Sequence, residues 1–431
     1  MNDLAVQLNT DIINENHHIY DMLSTLGKNV YYPKGILSQS SEAAQKATRF
    51  NATIGIATEG NEPMHFQHIQ EQLSGYEPKE IYPYAPPAGV QKLREVWKVK
   101  IIKDNLDLQK GDFGLPIVTN ALTHGLSIAA DLFTDNGDTV IVPDKYWGNY
   151  QSIFHLRRGA HLVTYPLFNE HGQFHVSAFQ ETLFKQKTVG KAIVLLNFPN
   201  NPTGYTPSIE EVGGIIKALY EAAQEGINVV VILDDAYFGL FYEDSIKESL
   251  FGKLAGLHQR ILPIKIDGAT KENYVWGLRV GFITYASKSP VLLNALEQKT
   301  KGIIRGTISS SSHLSQTVIL KSLQSEEFNQ EKQQKYDIMK RRANKVKEVL
   351  NKEKYNKYWS YYPFNSGYFM CLQLKTVDAE ELRVHLLNKY SVGTIAINST
   401  DLRIAFSCVE ERDMDELFDL IYEGIKELSP L

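Results

Sequence analysis

Three short runs of Val, Ile and Leu in the middle of the sequence each stop at residues able to do chemistry. Lys191–Leu196 (KAIVLL) runs into Asn197-Phe198-Pro199-Asn200-Asn201-Pro202-Thr203-Gly204. Asn228–Leu233 (NVVVIL) runs into Asp234-Asp235-Ala236-Tyr237, and Ile261–Ile266 (ILPIKI) into Asp267-Gly268-Ala269-Thr270-Lys271. Continuous apolar runs of this length suit parallel strands buried on both faces. In open parallel sheets, ligands bind beyond the carboxyl ends of the strands. If these strands are neighbours, an amide, a carboxylate, a phenol and a primary amine converge on one crevice.

These segments resemble those of the aspartate-aminotransferase superfamily, the fold type I enzymes that use pyridoxal 5′-phosphate. The resemblance runs from about Asn51 to Phe406 and rests on NFPNNPTG (197–204), DDAYFG (234–239) and TKENYVWGLRVG (270–281), in that order. It implies that Lys271 forms a Schiff base with the cofactor aldehyde. It implies that Asp234 keeps the pyridine nitrogen protonated, with Asp235 a bystander. Tyr237 and Asn201 match residues that hydrogen-bond the ring's phenolic oxygen and favour its ionised form. Arg279, eight residues after Lys271, matches the phosphate fork. Ala121, Leu122 and Thr123, where a strand-like IVT gives way to a helical pattern, match the amides and hydroxyl that cradle the anion. Trp147 in YWGNY matches an aromatic stacked on the pyridine ring. Arg403 in LRIAFS matches the arginine that grips the substrate α-carboxylate.

The chain departs from the family pattern at several positions. Gly268 stands where the family has a serine three residues before the lysine, and Thr270 is the candidate to replace that contact. Ile54-Gly55-Ile56-Ala57 resembles the strand that closes over substrate, with Ala57 where glycine is common. Arg305 is a candidate reader of a distal carboxylate if the alignment is anchored on Lys301–Ser309, and not if it is anchored on Gln316. Tyr84 in YAPPAGVQKLRE matches a tyrosine that reaches the partner subunit's phosphate, which implies a homodimer with shared active sites. The implied reaction is transamination between an amino acid and a 2-oxo acid, with dicarboxylic or aromatic substrates. A lyase or synthase acting at Cβ or Cγ would use the same groups. A cofactor-binding regulator is the third class, and few residues precede Asn51 to supply its DNA-binding domain.

Positioning these groups requires an α/β chain with a mostly parallel central sheet flanked by helices. The alternation of apolar runs, Asp138–Pro143 (DTVIVP) among them, with helical patterns such as Pro207–Gln224 and Glu326–Lys354 predicts that fold. A large cofactor domain is expected over 75–318, and a smaller α+β lobe from 1–74 and 319–431. Of the 431 residues, 43% are hydrophobic and 22% charged, which suits a folded enzyme rather than a disordered chain. A net charge of −5 argues against nucleic acid as the partner. Cys371 and Cys408 fit no metal or disulfide pattern, and the twelve histidines form no HExxH cluster, so no metal site is expected. His17-His18 reads as surface. No GxGxxG or GxxxxGK[ST] phosphate loop occurs. With no signal peptide pattern and no long apolar run, the expected location is cytoplasmic, with no membrane partner.

Overall fold

The computed structural model describes residues 2–31, 35–60, 62–109 and 111–429. The apolar runs become strands of one seven-stranded sheet. They are β1 (Ile117–Asn120), β2 (Thr139–Pro143), β3 (His161–Tyr165), β4 (Lys191–Asn197), β5 (Asn228–Asp234), β6 (Ile261–Gly268) and β7 (Val280–Tyr285). Their spatial order is β1-β7-β6-β5-β4-β2-β3. β7 runs antiparallel to both neighbours, and every other ladder is parallel. The chain is thus α/β with a mixed sheet. Two strands escaped the apolar-run criterion. β3 is an edge strand with exposed residues, and β7 begins directly after Arg279, inside a motif read for its chemistry.

Pro263 sits in β6, a central strand, where a missing N–H is usually costly. Its carbonyl accepts from Ala286, just past the last ladder pair, Tyr285 with Ile264. The missing N–H therefore faces Ala286, one residue past β7, and costs at most the last bond of that ladder.

Register puts the reactive strand ends in line. Asn197 pairs with Asp234, Asp234 with Ile266, Gly268 with Gly281, and Val280 with Asn120. All five strands therefore present their functional ends at one edge. Helices cover both faces. The helix Ile209–Gln224 starts at a capping box, in which Ser208 Oγ accepts from Glu211 N and the Glu211 carboxylate accepts from Ser208 N.

A second, antiparallel sheet is built from β8 (Trp359–Tyr361), β9 (Phe369–Leu374), β10 (Ile395–Ala396) and β11 (Asp401–Ala405), in the order β8-β9-β11-β10. The helix before it spans Phe328–Leu350, shorter than the pattern suggested. The point 318/319 lies inside the helix His313–Gln324, which runs unbroken across it. The two sheets meet at Gly204, whose φ is +77° and where an added Cβ would lie 2.0 Å from the Phe369 carbonyl oxygen. Asn365 and Ser366 donate their N–H groups to the Gly204 carbonyl at 2.9 and 3.0 Å. Only glycine accepts both that backbone and that approach. No helix among the described residues is long and apolar enough to cross a membrane.

Behind the reactive edge lies a chain of buried charges. Lys265 pairs with Asp235 and lies 3.6 Å from Asp267, whose carboxylate accepts from Trp97 Nε1 at 3.1 Å. Lys100 lies 3.0 Å from Glu272, which also pairs with Lys332 of the helix Phe328–Leu350. Removing one member of a buried pair leaves the other uncompensated. Lys265→Met should therefore cost about 3–5 kcal/mol, read as a lower midpoint in chemical denaturation. A loss below about 1 kcal/mol would show that Asp235 finds relief elsewhere.

Candidate active site

Asp234 closes β5 and is 3% exposed. The Tyr150 hydroxyl donates to its Oδ2 at 2.6 Å, and the Ala236 N–H to its Oδ1 at 3.2 Å. Burial pushes this carboxyl up to about 6, while the Tyr150 hydrogen bond and the charge of Lys271 oppose the rise. Asp235, one residue on, points the other way and belongs to the buried pair with Lys265, where Ser249 Oγ also donates at 2.6 Å.

Lys271 follows β6 in the short helix Ala269–Glu272. Its Nζ lies over the Tyr237 ring, 5.2 Å from the centroid, and its carbonyl accepts from the Tyr368 hydroxyl at 3.0 Å. Burial pushes the amine down to about 8, with Asp234 opposing and Arg279 assisting. A usable fraction is therefore the free base near neutrality. Tyr237 is buried and its phenol is raised by that burial, so it stays protonated.

Arg403, in β11, is 1% exposed. It donates to Asn201 Oδ1 at 3.0 Å and to the Thr53 carbonyl at 2.8 Å, and lies 4.2 Å over the Phe369 ring. Its Nε has no partner. The other buried arginines, Arg94, Arg342 and Arg383, each face a carboxylate. Arg403 faces none among the described residues, and burial pushes it down to about 10. An isolated buried guanidinium is costly unless an anion meets it.

A third corner forms where β1 gives way to the helix Ala121–Phe133. The Ala121 N–H donates to the Arg279 carbonyl at 3.0 Å. Both residues hold left-handed backbone, with φ of +62° and +53°. Such conformations cost of order 1–3 kcal/mol at non-glycine residues and cluster at ligand sites. Gly281 allows the approach, since a Cβ there would lie 2.6 Å from the Ala121 carbonyl carbon. The first-turn amides of Leu122 and Thr123 and the exposed Arg279 side chain thus share one corner. The Gly268 departure also has a steric cause: a Cβ there would lie 2.6 Å from the Val280 carbonyl oxygen. Thr270 is buried, and its hydroxyl has no partner.

Trp147 is half-buried and packs edge-on against Tyr150 at 5.6 Å, beside Asp234. Ala57 is fully buried in the core. Gly55, two residues earlier, is the member of that run against the site, since a Cβ there would lie 3.5 Å from the Tyr237 hydroxyl. Arg305 is exposed and bonded to Ser309 one turn on, with no contact to Arg403. Tyr84 is 94% exposed and touches none of these groups. Tyr150, Tyr368 and Thr53 were missed. Tyr150 follows Trp147 by three residues in the same loop, a spacing that could have suggested it. The carbonyl of Thr53 carries no sequence signal. His17 and His18 are exposed, and with Asp21 their ligand atoms lie within 4.8 Å of one another.

A sheet of this order, with an amine after β6 facing a buried carboxylate at the end of β5, defines the fold type I class of pyridoxal-phosphate proteins. The family model "Aminotransferase class I and II" matches residues 87–421, and the chain belongs to that family. An aspartate aminotransferase of Geobacillus stearothermophilus is 28% identical over 200 residues, 46% of this chain and 47% of that protein. The chain thus spans about half the length of this relative in the match. An aminotransferase structure from Anaerococcus prevotii superposes with a TM-score of 0.81 at 22% identity, covering 94% of this chain and 99% of that one. A Pyrococcus horikoshii kynurenine aminotransferase structure superposes with a TM-score of 0.80 at 17% identity, covering 95% and 98%. At these identities the two structures establish the fold.

The family's cofactor, pyridoxal 5′-phosphate, fits the residues present. The Ala121–Arg279 corner offers cationic and amide donors for a phosphate. Asp234 offers a buried carboxylate for a protonated ring nitrogen. The Tyr237 hydroxyl, the Lys271 amine and the orphaned Thr270 hydroxyl have no hydrogen-bond partner among the described residues.

In cofactor-free protein, modification of Lys271 by trinitrobenzenesulfonate, mapped by peptide, should titrate near 8 rather than the ordinary 10.5. Asp234→Asn should lower that midpoint further, because the charge favouring the ammonium is gone. A midpoint near 10.5 would mean a solvated amine.

Proposed function

We propose that the protein is an aminotransferase that moves an amino group between an amino acid and a 2-oxo acid. The observation that carries this reading is the presence in one crevice of a depressed lysine, Lys271, and a buried arginine, Arg403, that faces no carboxylate among the described residues. Bound pyridoxal 5′-phosphate supplies an aldehyde and an electron-withdrawing ring. Lys271 Nζ holds the aldehyde and, once released, takes up and returns a proton at the substrate Cα. Asp234 holds a proton on the ring nitrogen. Tyr237 and the Asn201 amide hydrogen-bond the ring's phenolic oxygen. Arg279, the amides of Ala121, Leu122 and Thr123, and the Thr270 hydroxyl grip the phosphate. Trp147 covers the ring face. Arg403 orients the α-carboxylate, its remaining N–H groups being fixed by Asn201 and Thr53.

Between dicarboxylic and aromatic substrates, the aromatic class is favoured. Phe369 lies against Arg403 and Tyr237 packs against Phe369, while Arg305 is exposed and occupied by Ser309. A lyase or synthase is disfavoured because the relatives are named as aminotransferases. The reading includes a cytoplasmic homodimer, supported by the Tyr84 side chain, which stands clear of its own chain's crevice.

Borohydride treatment of the holoprotein should fix the cofactor on the peptide containing Lys271, and Lys271→Ala should remain unlabelled and inactive while still binding cofactor. Labelling at another lysine would remove this mechanism. Arg403→Lys keeps the charge but loses the planar fork, so KM should rise at least tenfold for every amino acid whatever its side chain. A rise confined to dicarboxylic substrates would make Arg403 the distal reader instead.

A further inference from the structure

We propose that Tyr150 is a positioning residue of this site: its hydroxyl, locked beneath Trp147, holds the Asp234 carboxylate ionised and fixes the direction in which its oxygens point. The proposal deepens the reading of Asp234 given above and rests on it for its functional consequence. Tyr150 is fully buried, and its hydroxyl meets Asp234 Oδ2 at 2.6 Å, the length of a charge-assisted hydrogen bond. Its ring is clamped by Trp147 edge-on at 5.6 Å and by Tyr146 stacked at 6.3 Å. The residue stands at the start of a single π-helical turn, Gln151–Leu156, a local irregularity that re-aims the chain at this point.

The electrostatics around Asp234 need such a donor. The groups that act on it are Tyr150 from the loop after β2, Lys271 from the turn after β6, Tyr237 from its own turn, and Asp235 beside it. Asp235 repels its charge, and Tyr237, already raised by burial, offers no hydrogen bond to it. Lys271 attracts it, but that charge is lost as the pH rises through about 8. The Tyr150 hydroxyl is then the permanent side-chain donor, beside the Ala236 N–H on the other oxygen, since burial and the nearby carboxylate keep its own proton on throughout the working range. Donation to the charged form lowers a carboxyl pKa, so removing it must move Asp234 upward. A neutral Asp234 would no longer hold the ring nitrogen's proton.

The test uses cofactor-free protein, so that it stands apart from the reading of the reaction. The carboxyl stretch of Asp234, isolated as the infrared difference between the protein and Asp234→Asn, is titrated in wild type and in Tyr150→Phe. The midpoint should rise by about one pH unit or more in Tyr150→Phe. Replacing Tyr150 with 3,5-difluorotyrosine, a stronger donor of the same shape, should move the midpoint down. This second variant decides the matter alone if Tyr150→Phe does not fold. An unchanged midpoint in the fluorinated protein, or a fall in Tyr150→Phe, would overturn the proposal. If the midpoints move as stated while borohydride fails to label Lys271, the reaction reading fails and the Tyr150–Asp234 pair survives it.

Discussion

The alternation of a β-strand, one residue up and the next down, is the constraint on which this site depends. At the end of β5 it sends Asp234 into the crevice and Asp235 into the protein behind it. Past β6, Lys271 and Glu272 also divide, here as successive residues of the short helix Ala269–Glu272, roughly 100° apart around its axis. Each reactive group therefore stands back to back with a charged neighbour. Those neighbours belong to two groups of charges, Asp235–Lys265–Asp267 and Lys100–Glu272–Lys332, which the attraction between Lys100 and Asp267 couples and which span β5, β6, the helix Gln91–Lys103 and the helix Phe328–Leu350. Buried ion pairs contribute little net stability, but they tolerate few alternative arrangements. Here they fix the backbone from which the reactive side chains project.

The crevice itself follows the opposite rule. Among the described residues, the buried charges behind the sheet are matched, while at the mouth Arg403, Lys271 and the Ala121–Arg279 corner have no carboxylate partner apart from the field of Asp234. Burial pushes Arg403 and Lys271 down and Asp234 up, all three toward neutrality. A site with this pattern is arranged for a ligand that brings negative charge at two separated points and a titratable nitrogen between them.

Much of this was legible in the sequence because the chemistry sits at strand ends. Runs of Val, Ile and Leu marked β2, β4, β5 and β6, and the residues after the last three are those that meet at one edge. What was hidden depended on contacts between distant segments. Tyr150 is one aromatic in an aromatic-rich loop until β2 and β5 are set in one sheet with only β4 between them. Gly55 rather than Ala57 faces Tyr237 because the short N-terminal segment enters at an angle set by the second sheet. The exposed setting of Arg305 follows from its position on a helix whose register the local sequence leaves open. Gly268 was seen as a lost hydroxyl, whereas the close passage of Val280 leaves no room for any side chain.

Phe50 and Asn51 lie parallel to Val392 and Gly393, and Ala52 both donates to the Gly393 carbonyl and accepts from Ala405. The stretch that brings Thr53 and Gly55 to the crevice is thus seated on strands near the other end of the chain. A ribosome delivers the phosphate corner, Asp234 and Lys271 well before it delivers Arg403. Domains tend to form as they emerge. During synthesis the groups for the cofactor can gather while the groups for the substrate carboxylate are still missing, and the early segment must wait, unplaced, until the last strands arrive to receive it.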